Sequence, residues 1–436
     1  MNQYETERIR EALETAGFAT VAFSSVADAY VINTCSVTGV ADGKSRAAVR
    51  RALKLNDRAF VVVSGCYAEL EPGQIAEIEG VDLVVPNDDK DAIPERMVAH
   101  FGVVRPHPSP LPQGEGVDGS RAQGERELRL HATEATGEPE VRPRLRTRAV
   151  VKVQDGCDQF CSYCTVPYAR SRKSSRSLDE VMAELGSLAE FGYKEVVLAG
   201  IRLGSYDDKG RRLPDLIRQA VGIDGIERIR LSSVEPWEVD EELLGAMCSP
   251  KVCRHLHIPL QSGDDDTLAR MNRPYDSARY RAIVARVRER IPGIGITTDV
   301  IAGFPGETEE AFANTCALIE EIGFSRLHVF RYSARSRTRA CALPDHVDAA
   351  VKKSRAERLA ELGTLAMRRF ASSLVGETLS VLVEKSTPKL LTGFTDNYVE
   401  VAFPGDSSQR GEILRVRISG VDQSGGAEGM QVTGNR

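Results

Sequence analysis

At 436 residues the chain is longer than one hydrophobic core usually organises, so two or three domains are expected. Charged residues make up 28% and hydrophobic residues 42%, which suits a globular protein and excludes disorder throughout. The net charge of −6 neither requires nor excludes a nucleic-acid partner, because a local basic surface binds phosphates on an acidic protein. No apolar run reaches the roughly 18 residues of a membrane helix, and Met1 to Arg10 is charged and polar, so a cytoplasmic protein with no membrane contact is expected.

From the N-terminus to residue 101 the pattern alternates. A helix is expected over Tyr4 to Ala16, a strand over Ala29 to Asn33, and a helix over Ala41 to Leu55. A strand over Phe60 to Ser64, a helix over Ala68 to Glu79 and a strand over Val81 to Val85 complete a small α/β domain. Residues 102–143 lose apolar periodicity and become rich in Pro, Gly, Glu and Arg, as in a disordered linker or insertion. Residues 144–345 then carry six apolar strands, Ala149 to Val153, Glu195 to Ala199, Arg228 to Ser232, His255 to Leu260, Gly295 to Ile301 and Arg326 to Phe330. Helical segments separate them, one after the N-cap Ser177 and another over Thr308 to Ile322, which implies an α/β fold with an incomplete (βα)6 barrel. In such a fold the chemistry lies at the C-terminal strand ends. A connecting helix over 346–373 leads to 374–436, where the strands Thr378 to Glu384, Tyr398 to Phe403 and Glu412 to Ile418 suggest a small β-barrel.

Of nine cysteines, Cys157, Cys161 and Cys164 crowd into the loop after the first barrel strand. That spacing fits metal ligation in a reducing compartment better than a disulfide framework. Three thiolates hold three irons of a four-iron cubane and leave the fourth without a protein ligand. A zinc knot or buried thiols is the alternative. Cys248, Cys253, Cys316 and Cys341 have no ligand spacing and read as packing residues.

The triple resembles the radical S-adenosylmethionine (SAM) superfamily, in which the open iron chelates the cofactor's methionine and reduction releases a 5′-deoxyadenosyl radical. The resemblance extends through Thr147-Arg-Ala-Val-Val-Lys-Val-Gln-Asp-Gly-Cys157, Leu198-Ala-Gly-Ile201, Leu231-Ser-Ser-Val-Glu-Pro236 and His257-Ile-Pro-Leu-Gln-Ser-Gly263. It continues through Thr298-Asp-Val-Ile-Ala-Gly-Phe-Pro-Gly-Glu307 and Leu327-His-Val-Phe-Arg-Tyr-Ser-Ala-Arg335. Together these segments are similar to the methylthiotransferases, most closely the branch acting on N6-threonylcarbamoyladenosine of tRNA. Isopentenyladenosine and a ribosomal-protein aspartate are the neighbouring targets.

Each segment ends a strand, so Gly200, Ser233, Glu235, Gln261 and Asp299 converge on one rim where SAM would lie. Gly200 would admit a close backbone approach, while Glu235, Gln261 and Asp299 would hydrogen-bond amino or ribose groups. Tyr163 would pack against the adenine. Caps and turns are the competing reading of these residues. The Gly303 to Glu307 turn suits either an anion at a helix N-terminus or a plain tight turn.

Cys35 and Cys66 each follow a strand, so their thiols would face each other across neighbouring strand ends. The resemblance implies a second four-iron cluster there, tied to sulfur insertion, with a third cysteine ahead of an Asn-Gln-Tyr-Glu-like stretch. Here Asn2-Gln-Tyr-Glu5 follows Met1 directly, so the first strand and its cysteine are expected in frame upstream. Without them, an RNA-binding pseudoenzyme is the rival from another class.

Two arginine-rich groups, Arg142 to Arg176 and Arg326 to Arg339, would meet RNA phosphates, although a charge run is as often a solvated face. Residues from Leu374 resemble the TRAM domain, and Phe394 and Tyr398 would stack on splayed bases or else pack the barrel; Arg335 joins them as an RNA-contact residue. Where relatives carry Ala-Arg-Gly, the chain has Ala169-Arg-Ser171, which would alter the loop. The expected partners are a tRNA substrate and a reductase, flavodoxin or ferredoxin as electron donor, acting on a monomer.

Overall fold

The computed structural model describes residues 1–102 and 147–432, together with the main chain of 129–134. Two compact units result, Met1–Arg144 with Tyr168–Arg170, and Leu145–Pro167 with Ser171–Arg436.

The N-terminal unit is built on β1 (Ala19–Thr20), β2 (Ala29–Thr34), β3 (Phe60–Gly65), β4 (Leu83–Val85) and β5 (Arg129–Glu134) in the order β1-β5-β2-β3-β4. All pairs in this sheet are parallel. Every residue of β2 is buried, as expected of a strand covered on both faces. Tyr30 and Ile32 pack with Val49, Ala52 and Ile75 on one side. Ala29 and Val31 pack with Ile9, Leu13 and Met97 on the other.

Two expectations change here. The helix expected over Ala68 to Glu79 is two short ones, Cys66–Leu70 and Pro72–Ala76, because Pro72 has no N–H to continue the first and starts the second. Within the stretch read as linker, Arg129–Glu134 is a strand lying between β1 and β2. A buried strand such as β2 needs its backbone groups paired on both edges, and β5 supplies the second partner. The rest of that linker lies outside the described residues.

In the second unit the six expected strands are β6 (Arg148–Asp155), β8 (Glu195–Gly200), β11 (Arg228–Leu231), β12 (His255–His257), β13 (Gly295–Ala302) and β14 (Arg326–Arg331), with β7 (Ser174–Ser175) and the small hairpin β9 (Asp207–Asp208) and β10 (Arg211–Arg212) between them. β6, β8 and β11 pair in parallel, as do β12, β13 and β14, giving the two sheets of an open half-barrel. β12 stops at His257, short of the expected Leu260, where Pro259 removes a ladder donor. The helix Leu178–Glu190 starts at a capping box between Ser177 and Glu180, and Thr308 accepts from Ala311 N at 3.1 Å to start Glu309–Ile322.

Helix Ala349–Ser372 leads to a closed barrel of β15 (Thr378–Ser386), β16 (Leu390–Thr395), β17 (Glu400–Pro404), β18 (Ile413–Val421) and β19 (Ala427–Gln431). Two of these strands, β16 and β19, were not expected from the sequence. Gly393 brings β16 against β15, since a Cβ there would lie 2.0 Å from Leu382 O. This barrel seats against the N-terminal ends of the half-barrel strands. Arg228 donates to Phe394 O at 3.1 Å, Arg230 to Thr395 O at 3.2 Å and Asp396 O at 3.1 Å, and both arginines pair with the fully buried Glu195.

Candidate functional site

The cysteine loop begins where β6 ends, and Gly156 makes that exit. Its φ is +75°, and a Cβ would lie 2.3 Å from Arg172 O, so only glycine fits. The loop is then fixed from outside itself. Ser162 N donates to Met271 O at 3.0 Å, Ala340 N to Ser162 O at 2.8 Å, and Asn272 Nδ2 to Phe160 O at 3.0 Å.

Cys157, Cys161 and Cys164 are all partly buried free thiols. Burial first, then the neighbouring Cys161, pushes the Cys164 thiol up to about 12, and the Cys157 thiol is raised by burial and by the same neighbour. A metal bound there would displace the thiol protons, since only thiolates ligate.

Arg273, which the sequence reading did not single out, organises the rim beside them. Its side chain is 1% exposed and pairs with Glu235 through both oxygens. Nη1 also donates to Cys161 Sγ at 3.3 Å, and Nε donates to Tyr275 OH at 3.1 Å. The guanidinium stacks on Trp237 and Tyr275, 4.9 and 5.1 Å from their ring centres. A buried arginine in Met271-Asn-Arg-Pro274 was the available signal, but one arginine without a partner in sequence carries little weight.

Gln261 adopts φ +66°, rare for a residue with a side chain, and its N–H donates to Asp299 O at 2.8 Å. The Asp299 carboxylate lies 3.2 Å from His257 Nε2 and 3.2 Å from His328 Nδ1. Burial works against its charge, but hydrogen bonds from the two histidines outweigh that and hold the carboxyl down at about 2. The available donor set therefore fits a zwitterionic nucleoside. Glu235 and Asp299 offer carboxylates to an ammonium or to hydroxyls, and Arg273 offers a guanidinium to a carboxylate.

The remaining predicted residues fall differently. At Gly200 a Cβ would lie 2.9 Å from Leu203 Cα and 3.1 Å from Gln154, so packing by itself already requires a glycine there. Ser233 is half-buried in the loop after β11, while its neighbour Ser232 accepts from Gly200 N at 3.2 Å. Tyr163 packs against a small apolar group that includes Met271, Ile301, Phe304 and Tyr332. The Gly303 turn closes on its own carboxylate, with Gly303 N donating to Glu307 Oε1 at 3.0 Å, so the tight-turn reading holds.

In the N-terminal unit, β2 and β3 are paired at Thr34 and Gly65, so Cys35 and Cys66 leave adjacent strand ends together. Gly65 permits this, because a Cβ would lie 2.2 Å from Thr34 O. Beside them Glu5, Lys90 and Arg170 are buried, their side chains 8%, 6% and 4% exposed. Arg170 and Lys90 set positive charge beside the sulfurs, with Arg170 Nε 3.4 Å from Cys66 Sγ, a setting that suits anionic thiolates and fits the implied second cluster.

The basic stretch around the cysteine loop proves largely engaged within the protein. Arg148 pairs with Glu384 at 2.6 Å, Lys152 with Asp155 at 2.9 Å, Arg176 with Glu184 at 2.5 Å and Arg170 with Glu5 at 2.6 Å. Arg142, Arg144 and Arg146 lie outside the described residues. Ser171 takes no left-handed conformation, so the serine sits in this loop without backbone strain. Phe394 and Tyr398 stack on each other at 4.9 Å, with His255 4.5 Å and Arg230 4.9 Å from Tyr398. Both rings thus help to seat the C-terminal barrel, at the strand ends opposite the cysteine loop, and each keeps a partly exposed face. Arg335 is half-buried, and its carbonyl accepts from Thr338 N and Oγ1 at 2.9 and 2.8 Å.

Residues 151–319 match the radical SAM superfamily, and residues 1–86 match the uncharacterized protein family UPF0004. The chain is 37% identical to the threonylcarbamoyladenosine tRNA methylthiotransferase MtaB of Bacillus subtilis, over 96% of this chain and 91% of that one. It is 35% identical to the MtaB of Chlamydia pneumoniae, over 98% and 94%. A tRNA-2-methylthio-N(6)-dimethylallyladenosine synthase of Syntrophomonas wolfei is 36% identical, over 96% and 93%. Among solved structures, the radical S-adenosylmethionine methyltransferase TsrM of Kitasatospora setae shares the fold with a TM-score of 0.52 at 17% identity, over 77% of this chain and 68% of that one. By its near full-length identity to these relatives, with the three-thiol loop and its rim in place, the chain belongs to the radical SAM tRNA methylthiotransferase family.

Proposed function

We propose that this protein adds a methylthio group to C2 of N6-threonylcarbamoyladenosine next to the anticodon of tRNA. The observation that carries the reading is the three-thiol loop set against Arg273, Glu235, Gln261 and Asp299, in a chain whose full-length likeness includes several threonylcarbamoyladenosine enzymes. When bound, a four-iron cluster and SAM supply the one-electron chemistry that activates an unreactive C–H bond, and the second cluster serves sulfur insertion.

The protein's own residues ligate, orient and exclude water. Cys157, Cys161 and Cys164 hold the first cluster, and Cys35 and Cys66 belong to the second. Glu235 and Arg273 orient the amino-acid end of SAM, with Gln261 and Asp299 on its ribose and Tyr163 and Ser233 beside the nucleoside. The apolar group of Met271, Ile301, Phe304 and Tyr332 keeps water from the loop. The exposed Arg326, Arg331, Arg337 and Arg339, with Arg335, meet RNA phosphates. Among the described residues no helix is long and apolar enough to cross a membrane. The reading places the protein in the cytoplasm as a monomer, reduced by a flavodoxin, a ferredoxin or a dedicated reductase.

Tandem mass spectrometry of tRNA from a deletion strain tests the assignment. Loss of 2-methylthio-N6-threonylcarbamoyladenosine is expected. Unchanged levels of that nucleoside, or loss of the isopentenyl counterpart instead, reject it. In the purified protein, Cys157→Ala removes about four irons per chain and abolishes reductive SAM cleavage.

A further inference from the structure

Arg170 follows the cysteine loop in sequence yet folds with the N-terminal unit. Its Nε lies 3.4 Å from Cys66 Sγ, within the range of an N–H···S hydrogen bond. The other two nitrogens are committed elsewhere. Nη1 donates to Glu5 Oε1 at 2.6 Å and Nη2 to Glu5 Oε2 at 2.8 Å, a two-point fork that fixes the plane of the guanidinium. Lys90 Nζ donates to the same carboxylate at 2.5 Å and holds Glu5 from the far side. Asn87 Nδ2 donates to Ala169 O at 2.7 Å, anchoring the main chain one residue before Arg170. The groups that set the direction of Nε are thus fixed, and Glu5, Lys90 and Arg170 itself are buried. A guanidinium merely placed for solubility would face water.

We propose that Arg170 is a positioning residue of the second iron–sulfur cluster. It orients and polarises the Cys66 sulfur through Nε–H and raises the cluster's reduction potential, with Glu5 and Lys90 as the frame that aims it. This rests on the reading of Cys66 as a cluster ligand. The physical ground is that a reduced cluster places more negative charge on its ligand sulfurs, so a donor and a buried cation beside one sulfur favour the reduced form. Lysine keeps the charge but lacks the planar fork and its fixed third donor, so it is not an equivalent replacement. Sequence reading missed the role because Arg170 sits in a basic stretch, where a phosphate contact is the ordinary expectation.

The test uses the anaerobically reconstituted full chain, with EPR-monitored redox titration of both clusters. In Arg170→Gln the second cluster is expected to be about tenfold less reduced at a fixed potential, a ~59 mV fall in midpoint for a one-electron couple, while the first cluster is unmoved. Arg170→Lys is expected to fall between the two. Should Arg170→Gln lose the second cluster while its thermal unfolding in the iron-free state matches that of the parent, the holding role is supported. Eight irons per chain with an unshifted second midpoint in both variants overturns the role of Arg170 alone. Four irons in the parent protein, unchanged by Cys66→Ala, overturns the ligand reading and this inference with it.

Discussion

Arg273 and Glu235 form one ion pair but stand in different surroundings, and that difference sets an order of effects. The Arg273 side chain is 1% exposed, whereas that of Glu235 is 22% exposed. Removing Glu235 strands a guanidinium that water does not reach, so Glu235→Leu is expected to cost about 3–5 kcal/mol, the range for an uncompensated buried charge. Removing Arg273 leaves a carboxylate that solvent partly rescues. Tyr275 OH retains its bond to Leu260 O at 2.8 Å. What Arg273→Met loses is stacking on Trp237 and Tyr275, about 1–2 kcal/mol together, and roughly 1 kcal/mol for the partly solvated carboxylate. The expected sum is about 2–3 kcal/mol, smaller than for Glu235→Leu, and the double variant is expected to be more stable than Glu235→Leu alone. Urea unfolding of the iron-free chain measures this through Trp237, the single tryptophan, which reports from the site itself. If Arg273→Met proves the more damaging single change, or if the double variant falls below both, exposure does not govern the pair and the reasoning fails.

Three further outcomes follow from the geometry. Because Asp299 is held at about 2 in the folded protein, against an unfolded value of roughly 3.9, its charge stabilises the fold by about 3 kcal/mol at neutral pH. With a depressed carboxylate that contribution is complete above about pH 4 and is lost as pH falls through about 2, so Asp299→Asn should flatten this part of the acid-unfolding curve. Gly65→Ala, at φ +101° and with a Cβ 2.2 Å from Thr34 O, is expected to destabilise the N-terminal unit by about 1–3 kcal/mol in thermal unfolding and to lower iron retention there. Tyr398→Ala should cost about 2–3 kcal/mol of stability with little change in tRNA affinity by filter binding, whereas weaker RNA binding at full stability would favour the base-stacking role.

The half-barrel was legible because its strands are buried on two faces and read as short apolar runs between capped helices. Ser177 and Thr308 announce their helices by chemistry that needs no tertiary context. The elements that escaped depend on partners elsewhere. β5 lies in a stretch whose overall composition resembles a linker, and it becomes a strand because β2 presents an open edge. β16 begins at Leu390, just after Thr387-Pro-Lys, and holds a glycine, features that weaken a strand in isolation but suit a barrel where Gly393 meets a neighbouring carbonyl. Boundaries at Pro72 and Pro259 were readable in principle, since both losses of an N–H are visible in sequence.

For the site, the contrast between cysteines and arginines shows what a sequence can carry. Cysteine ligands declare themselves by spacing, because a metal cluster constrains how far apart its thiolates lie along a short loop. An arginine declares only a charge, and what it does depends on which carboxylate reaches it across the fold. Arg148, Arg170 and Arg176 read as one basic surface, yet Glu384 and Glu195, Glu5, and Glu184 each claim one of them. Arg273 had no apparent neighbour until the loop after β11 brought Glu235 against it. The same ambiguity now falls on the arginines of β14 and the turn beyond it. Arg326, Arg331, Arg337 and Arg339 are exposed. Exposure there favours the phosphate reading for the reason it fails around the cysteines, namely that water or RNA reaches these side chains.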